Sequence, residues 1–384
     1  MRVRRRPAIL LLVPLVVLGS YAALHDYVRA SAFVVKAAGM QGVARTAAEW
    51  EAGEVAENHR SIPWRSGLLA ARSYSPARRS GRVFLLVPGV HASGVDEPRL
   101  VGFARDLASL GHVVVTVGPP DLARYAITPA TTDAIEDAAR WLSAQPELAP
   151  DGRVGMMGIS FAGGLSIVAA GRPSIRDKAA AILSLGGHGD LARTLRYLCT
   201  GRLPDGSLRP PHDYGVVIIL LSVADRVVPA DQVERLRESV LTFLEASRLD
   251  LVDKSLSLAT FEKVRALEPT LPEPTRTLVS AVNRRDVATL GAVLLPHLSS
   301  LGEDASLSPE HAPPPSAPIY LLHGAGDNVI PAAESQLLAQ ALARHGVTVH
   351  LLATPLITHA EVDRASSVAD IWHLVAFWKD VLTQ

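Results

Sequence analysis

Between residues 82 and 187 short apolar runs alternate with longer stretches of helical periodicity, and this alternation constrains the chain more than any other feature. "RVFLLVPG", "HVVVTVG", "GRVGMMGIS" and "AAAILSLGG" are too short for helices and rich in β-formers, as strands buried on both faces are. Between them "EPRLVGFARDLASLG" closes on Gly111, "TPATTDAIEDAARWLSAQ" opens with capping residues, and "FAGGLSIVAAG" ends at Gly171. Strands that alternate with helices form a parallel sheet covered by helices on both faces, so the expected class is α/β. Ahead of this core, "HRSIPWRSGLLAARSYSP" reads as two strands around a Ser66–Gly67 turn.

The alternation stops near residue 190. From there to about 310 the sequence is mostly helical, with segments such as "DQVERLRESVLTFLEASR", and then the Pro-rich "SPEHAPPPSAP" follows. Strand "IYLLHG", helix "AAESQLLAQALARHG", strand "VTVHLLAT" and a last helix near "SVADIWHLVAFWKDVL" resume the pattern. The expected division is a core of residues 56–189 and 317–384, interrupted by a helical insertion and linker over 190–316. An insertion at this point suits a lid over a site, and equally a purely structural addition.

Residues 1–30 form a separate segment. Arg2, Arg4, Arg5 and Arg6 precede an uncharged, mostly apolar run, "PAILLLVPLVVLGSYAAL", near the lower length limit for crossing a bilayer. It reads first as a signal-anchor and alternatively as a cleaved signal peptide, with small residues at Ala30 and Ala32 or at Ser20 and Ala22. Either reading leaves the basic end in the cytoplasm and exports the rest, as a membrane-anchored domain or a secreted or periplasmic one. Residues 31–55 are expected to be a connecting helix.

Composition narrows the function. With 38 acidic and 38 basic residues there is no electrostatic footprint for nucleic acid. Cys199, the only cysteine, excludes an internal disulfide and a Cys-rich metal site.

The chemistry centres on "MMGISFAGG". Ser160 ends a strand and opens a helix, which is the context of a nucleophile elbow. The sharp turn demands small neighbours, supplied by Gly158, Ala162, Gly163 and Gly164. A nucleophilic serine needs a base and an orienting acid, following it in the order acid, then histidine. His359, in "LITHAEVD" after the last strand, is placed to be the base; His345, His350 and His373 lie at or in a strand or helix. Two similar segments offer the acid, "VADRVVP" with Asp225 and "GAGDNVIP" with Asp327. Asp327 follows the strand next to the histidine's, so it is the expected acid and Asp225 the alternative. The run before Asp225, "YGVVIILL", reads as a strand or as a buried helix. The helix N-terminus and the amide of Phe161 face the place where an oxyanion forms. The second donor is expected on the loop "PGVHASG", where Gly89 permits close approach and the amide of Val90 is the candidate. His91 beside it is expected to be exposed.

Taken together, "VPGVHASG", "GISFAGG", "HGAGDNVIP" and "THAEVD", in this order, resemble the α/β-hydrolase fold superfamily over residues from about 60 to 383. The resemblance implies an eight-stranded, mostly parallel sheet and a Ser–His–Asp triad, which carries over to Ser160, His359 and Asp327. It also implies an oxyanion hole of two amides, those of Val90 and Phe161. Two departures stand out. Ala162 replaces the second elbow glycine, and Pro88 stands where many relatives have a histidine before Gly89. The implied activity is that of a serine hydrolase, carboxylesterase-like first, working on a small ester or acyl substrate through an acyl-enzyme without metal or organic cofactor. An acyltransferase on the same fold and a non-catalytic binding module are the alternatives.

Overall fold

The computed structural model describes residues 24–250, 252–357 and 367–384. It contains one eight-stranded sheet in the order β1-β2-β4-β3-β5-β6-β7-β8. β1 (Val55–Trp64) and β2 (Gly67–Pro76) form the expected hairpin. β2 also pairs antiparallel with β4 (Val113–Gly118). All remaining neighbours are parallel: β3 (Val83–Val87), β5 (Val154–Ile159), β6 (Ala179–Leu185), β7 (Ile319–Gly324) and β8 (Val349–Thr354). Central strands such as "VFLLV" are buried at every residue, which is why they show no alternation in sequence. β8 at the edge has half of its residues exposed.

Helices cover both faces. On one side lie α1 (residues 24–37), α2 (Val43–Trp50) and α3 (Pro98–Ser109). Phe33 of α1 packs on Phe103 and on Trp378, and the buried Lys36 meets Asp106 at 3.3 Å and Ser109 Oγ at 2.6 Å. On the other side lie α4 (Pro129–Ser143) and α5 (Phe161–Gly171). Every residue of α5 is buried, so it runs through the core instead of lying on it.

Between β6 and β7 the chain is helical, as expected: α6 (Leu191–Thr200), α7 (Asp213–Ser222), α8 (Val233–Leu249), α9 (Lys254–Leu267), α10 (Thr275–Asn283) and α11 (Val287–Leu294). "YGVVIILL" is helix α7 and adds no strand. The insertion shares its core with the α4–α5 side of the sheet. It is also clamped by charge. Arg193 of α6 meets Glu310 at 2.6 Å and Glu334 at 2.6 Å, and Glu334 also accepts the amides of Gly189 and Asp190. Glu334 belongs to α12 (Ala332–Arg344), and the chain closes with α13 (Val368–Leu382).

The apolar run proposed as anchor or signal lies, apart from Leu24, outside the described residues. Among the described residues no helix is long and apolar enough to cross a membrane.

Candidate active site

Ser160 sits where β5 hands over to α5, with φ 56° and ψ −133°, a region that non-glycine residues rarely enter. Its amide donates to the carbonyl of Leu185 at the end of β6 (2.7 Å), and its own carbonyl accepts from Gly163 (2.8 Å). These bonds hold the strained turn in place. The side chain is largely buried, at 8% exposure.

The small residues around it have distinct tasks. A Cβ on Gly158 would stand 2.2 Å from the carbonyl oxygen of Ala162, and one on Gly163 would stand 2.3 Å from Ser184 Oγ. One on Gly164 would strike the ring of His188 at 2.6 Å. Ala162 is fully buried, and its methyl finds room where the usual pattern has glycine. The departure is therefore sterically harmless, whereas Gly158, Gly163 and Gly164 have no room for a side chain.

The loop after β3 reaches the elbow. A Cβ on Gly89 would be 3.3 Å from the Cβ of Ser160, so Val90 lies immediately beside the serine. Among the described residues the amides of Val90 and Phe161 donate to no acceptor, unlike the amides of Ser160 and Gly163. Two N–H groups close to one serine can together bind an anionic oxygen.

Asp327 lies just beyond the C-terminal end of β7, so it shares a sheet edge with Ser160. It is 1% exposed. Oδ1 accepts the amides of Val329 (2.8 Å) and Ile330 (3.0 Å), which curls the loop around the carboxylate. His323, at the end of β7, secures this loop. Its Nε2 donates to the Ile330 carbonyl (2.8 Å) and lies 3.5 Å from Asp327 Oδ2, while Nδ1 accepts from Ser335 Oγ (2.7 Å). Arg209 from the insertion donates to the backbone carbonyl of Asp327 (3.2 Å).

Asp225 sits instead, exposed, on a single helical turn, Ala224–Val227, within the insertion. His359 lies outside the described residues. Of the other histidines weighed, His345, His350 and His373 are exposed, and His350 stacks on Tyr320.

Sequence reasoning missed three side chains here. Tyr214, near the start of α7, donates its hydroxyl to the carbonyl of Val90 (3.3 Å). Burial and the neighbouring Tyr125 hold its hydroxyl protonated, far above the usual tyrosine range. His188 is fully buried behind Phe161 and donates Nε2–H to the Leu307 carbonyl (2.7 Å), with burial keeping it neutral. His323 is the third. Each lies inside an apolar run or after a strand, where nothing in the local pattern marks it. His91 departs from the expectation of exposure. It is half-buried, and its Nδ1 accepts the Ser93 amide (3.2 Å), which tightens the Val90 loop. Burial lowers its basicity. Among the described residues no group of three or more His, Cys, Asp or Glu residues is arranged to hold a metal ion.

Comparison with known proteins matches residues 107–208 to the X-Pro dipeptidyl-peptidase (S15) family. That stretch contains Ser160 and Phe161 but neither Val90 nor Asp327. No curated protein matches the sequence. Among solved structures, an acylaminoacyl peptidase from Pyrococcus horikoshii is similar at a TM-score of 0.47 and 15% identity over 85% of this chain and 41% of that chain. An esterase from Pyrobaculum calidifontis is similar at 0.46 and 15% over 99% of each chain. Brefeldin A esterase, described as a bacterial homologue of human hormone-sensitive lipase, is similar at 0.44 and 15% over 86% of this chain and 75% of that one. The chain thus spans about two fifths of the acylaminoacyl peptidase's length.

Proposed function

We propose that this chain, an α/β-hydrolase superfamily member by its fold, is a serine hydrolase that cleaves an ester or related acyl substrate through an acyl-enzyme. The observation that carries this reading is the strained Ser160 elbow, a non-glycine residue at φ 56° flanked by two amides that donate to nothing else among the described residues. Strain of this kind persists only where surrounding structure enforces it, and it concentrates at sites of chemistry.

In the proposed mechanism His359 takes the Ser160 proton as Oγ attacks the acyl carbon. Asp327 fixes the imidazole tautomer and stabilises its cation. The amides of Val90 and Phe161 receive the oxyanion. The imidazolium protonates the leaving group, and water then releases the acyl group from Ser160 by the reverse proton route. The Tyr214 and Arg209 contacts support reading the 190–316 insertion as part of the site's framework, as a lid would be. Residues 1–30 are proposed to tether or export the domain. Carboxylesterase is the first reading. The S15 match and the peptidase-like structure keep an amide-bond substrate as its variant.

A fluorophosphonate probe on the full chain, followed by peptide mass spectrometry, tests this. Labelling at Ser160 that is lost in Ser160→Ala supports the reading. A folded protein that takes no label, or takes it elsewhere, overturns it.

A further inference from the structure

The outward faces of α1 and α13 carry five large exposed apolar side chains. Leu24 and Val28 lie on α1, and Val368, Ile371 and Trp372 on α13, exposed by 56, 43, 83, 41 and 55% respectively. Tyr27 and Trp372 stack across the two helices at 5.2 Å and 5°, which joins the two groups. Leu24 and Val28 are one turn apart, as are Val368 and Trp372, so each pair shares a helix face. Single exposed hydrophobics are ordinary, but a contiguous group of this kind marks an interaction surface.

Two observations say what covers it. The first is the chain leading into Leu24. Residues 7–24 are uncharged and mostly apolar, preceded by four arginines. That is the composition of a segment suited to hydrocarbon, and it arrives at this patch. The second is the placement of α13. The chain leaves β8 at Thr354, on the C-terminal edge of the sheet. At the far end of α13, the carbonyl of Gln384 accepts from Arg82 Nε (3.2 Å), just before β3 begins. The helix therefore runs from the C-terminal edge of the parallel strands to the N-terminal edge. Val368, Ile371 and Trp372 in its first turns lie toward the edge that holds Ser160 and Asp327. Tyr and Trp are also the side chains that settle at the headgroup level of a bilayer.

We propose that the Leu24–Val28–Val368–Ile371–Trp372 patch is a bilayer-docking surface, which turns the Ser160 edge of the sheet toward the lipid and assigns the site an amphiphilic acyl ester drawn from the membrane. The substrate part rests on the serine hydrolase reading. The docking part does not.

The test uses the full chain reconstituted in vesicles of equal parts phosphatidylcholine and phosphatidylglycerol. An environment-sensitive fluorophore is attached at Val368→Cys and, in a control on α9, at the exposed Lys263→Cys. The native Cys199 is buried with its thiol pushed up to about 12, so it does not compete for the label. The expected result is strong quenching by bromine-labelled lipid chains at position 368 and none at 263. Vesicle-bound protein without quenching at 368 overturns docking and leaves the tether standing. Protein that neither floats with vesicles nor is quenched overturns both. A doubled mass with position 368 protected assigns the patch to a second copy instead.

The Ile371→Ser/Trp372→Ser double variant addresses the substrate. Hydrolysis of a vesicle-borne long-chain ester is expected to fall by roughly a hundredfold or more, the scale of losing two large apolar side chains from a buried interface. Hydrolysis of a soluble short-chain ester and fluorophosphonate labelling at Ser160 are expected to stay unchanged. Equal losses on both esters, or none, overturn the substrate assignment, and absent labelling in the parent protein identifies failure of the hydrolase reading itself.

Discussion

Gly158 and Ala162 meet backbone to side-chain position across the elbow: a Cβ on Gly158 would stand 2.2 Å from the Ala162 carbonyl oxygen and 2.5 Å from its carbonyl carbon. These are backbone atoms and cannot step aside without moving Ser160. Gly158→Ala is therefore expected to lower fluorophosphonate labelling by about a hundredfold, the scale of a small misplacement of reacting groups. Ala162→Gly should leave labelling within about twofold and cost about 1 kcal/mol of stability, because glycine is a poor helix residue. Labelling rates and thermal melts of the two variants check this. Equal tolerance at both positions would contradict the geometry.

The Tyr214 hydroxyl holds the Val90 carbonyl, in the peptide next to the one whose N–H is assigned to the oxyanion, and so steadies that loop. Tyr214→Phe keeps the packing and removes the bond. We expect kcat to fall by roughly fivefold with KM little changed, since a hydrogen bond worth about 1 kcal/mol is lost from an arrangement used mainly in the transition state. A matching rise in KM with kcat intact would show that Tyr214 serves binding alone.

Asp327 and Asp225 separate cleanly. In Asp327→Asn the remaining oxygen can still accept the Val329 and Ile330 amides, so the loop should fold. Activity is expected to drop by about a thousandfold or more, as for loss of the carboxylate that orients a catalytic histidine. Asp225→Asn, exposed on its helical turn, should change neither activity nor stability. Steady-state kinetics on a chromogenic ester decides.

His112 supplies a pH dependence independent of catalysis. It is fully buried, its ring lies on Gly81 and against Phe84, and neither ring nitrogen has a well-aligned hydrogen-bond partner. Burial, with the charge of Arg29 nearby, pushes its pKa down to about 4. The unfolded chain, with an ordinary histidine pKa of about 6.5, binds the proton first as pH falls. The stabilising contribution is thus complete above that ordinary value and is lost as pH drops toward about 4. It amounts to about 3 kcal/mol. His112→Phe should remove this part of the acid sensitivity. Urea unfolding of both proteins at neutral and acidic pH measures it, and identical slopes would refute it.

Much of the fold was legible because burial on both faces leaves a strand no choice but a continuous apolar run, as in β3 and β5. The elbow was legible because a turn this tight admits only small residues near Ser160. The acid was narrowed by strand order, and α7 shows what periodicity alone leaves open. An apolar run of this length suits a buried helix as well as a strand, and only packing against α6 and α8 settles it.

By itself, then, the sequence determined the α/β class, the hairpin before it, the place of the insertion and the Ser160 turn, since each follows from local pattern and short-range sterics. The tertiary structure decided what depends on distant segments meeting. It brought Tyr214 to the Val90 carbonyl, His323 to the Asp327 loop and His188 behind Phe161. It left Asp225 in solvent and stacked Tyr27 on Trp372. Such contacts join residues tens to hundreds of positions apart, and no local propensity encodes them.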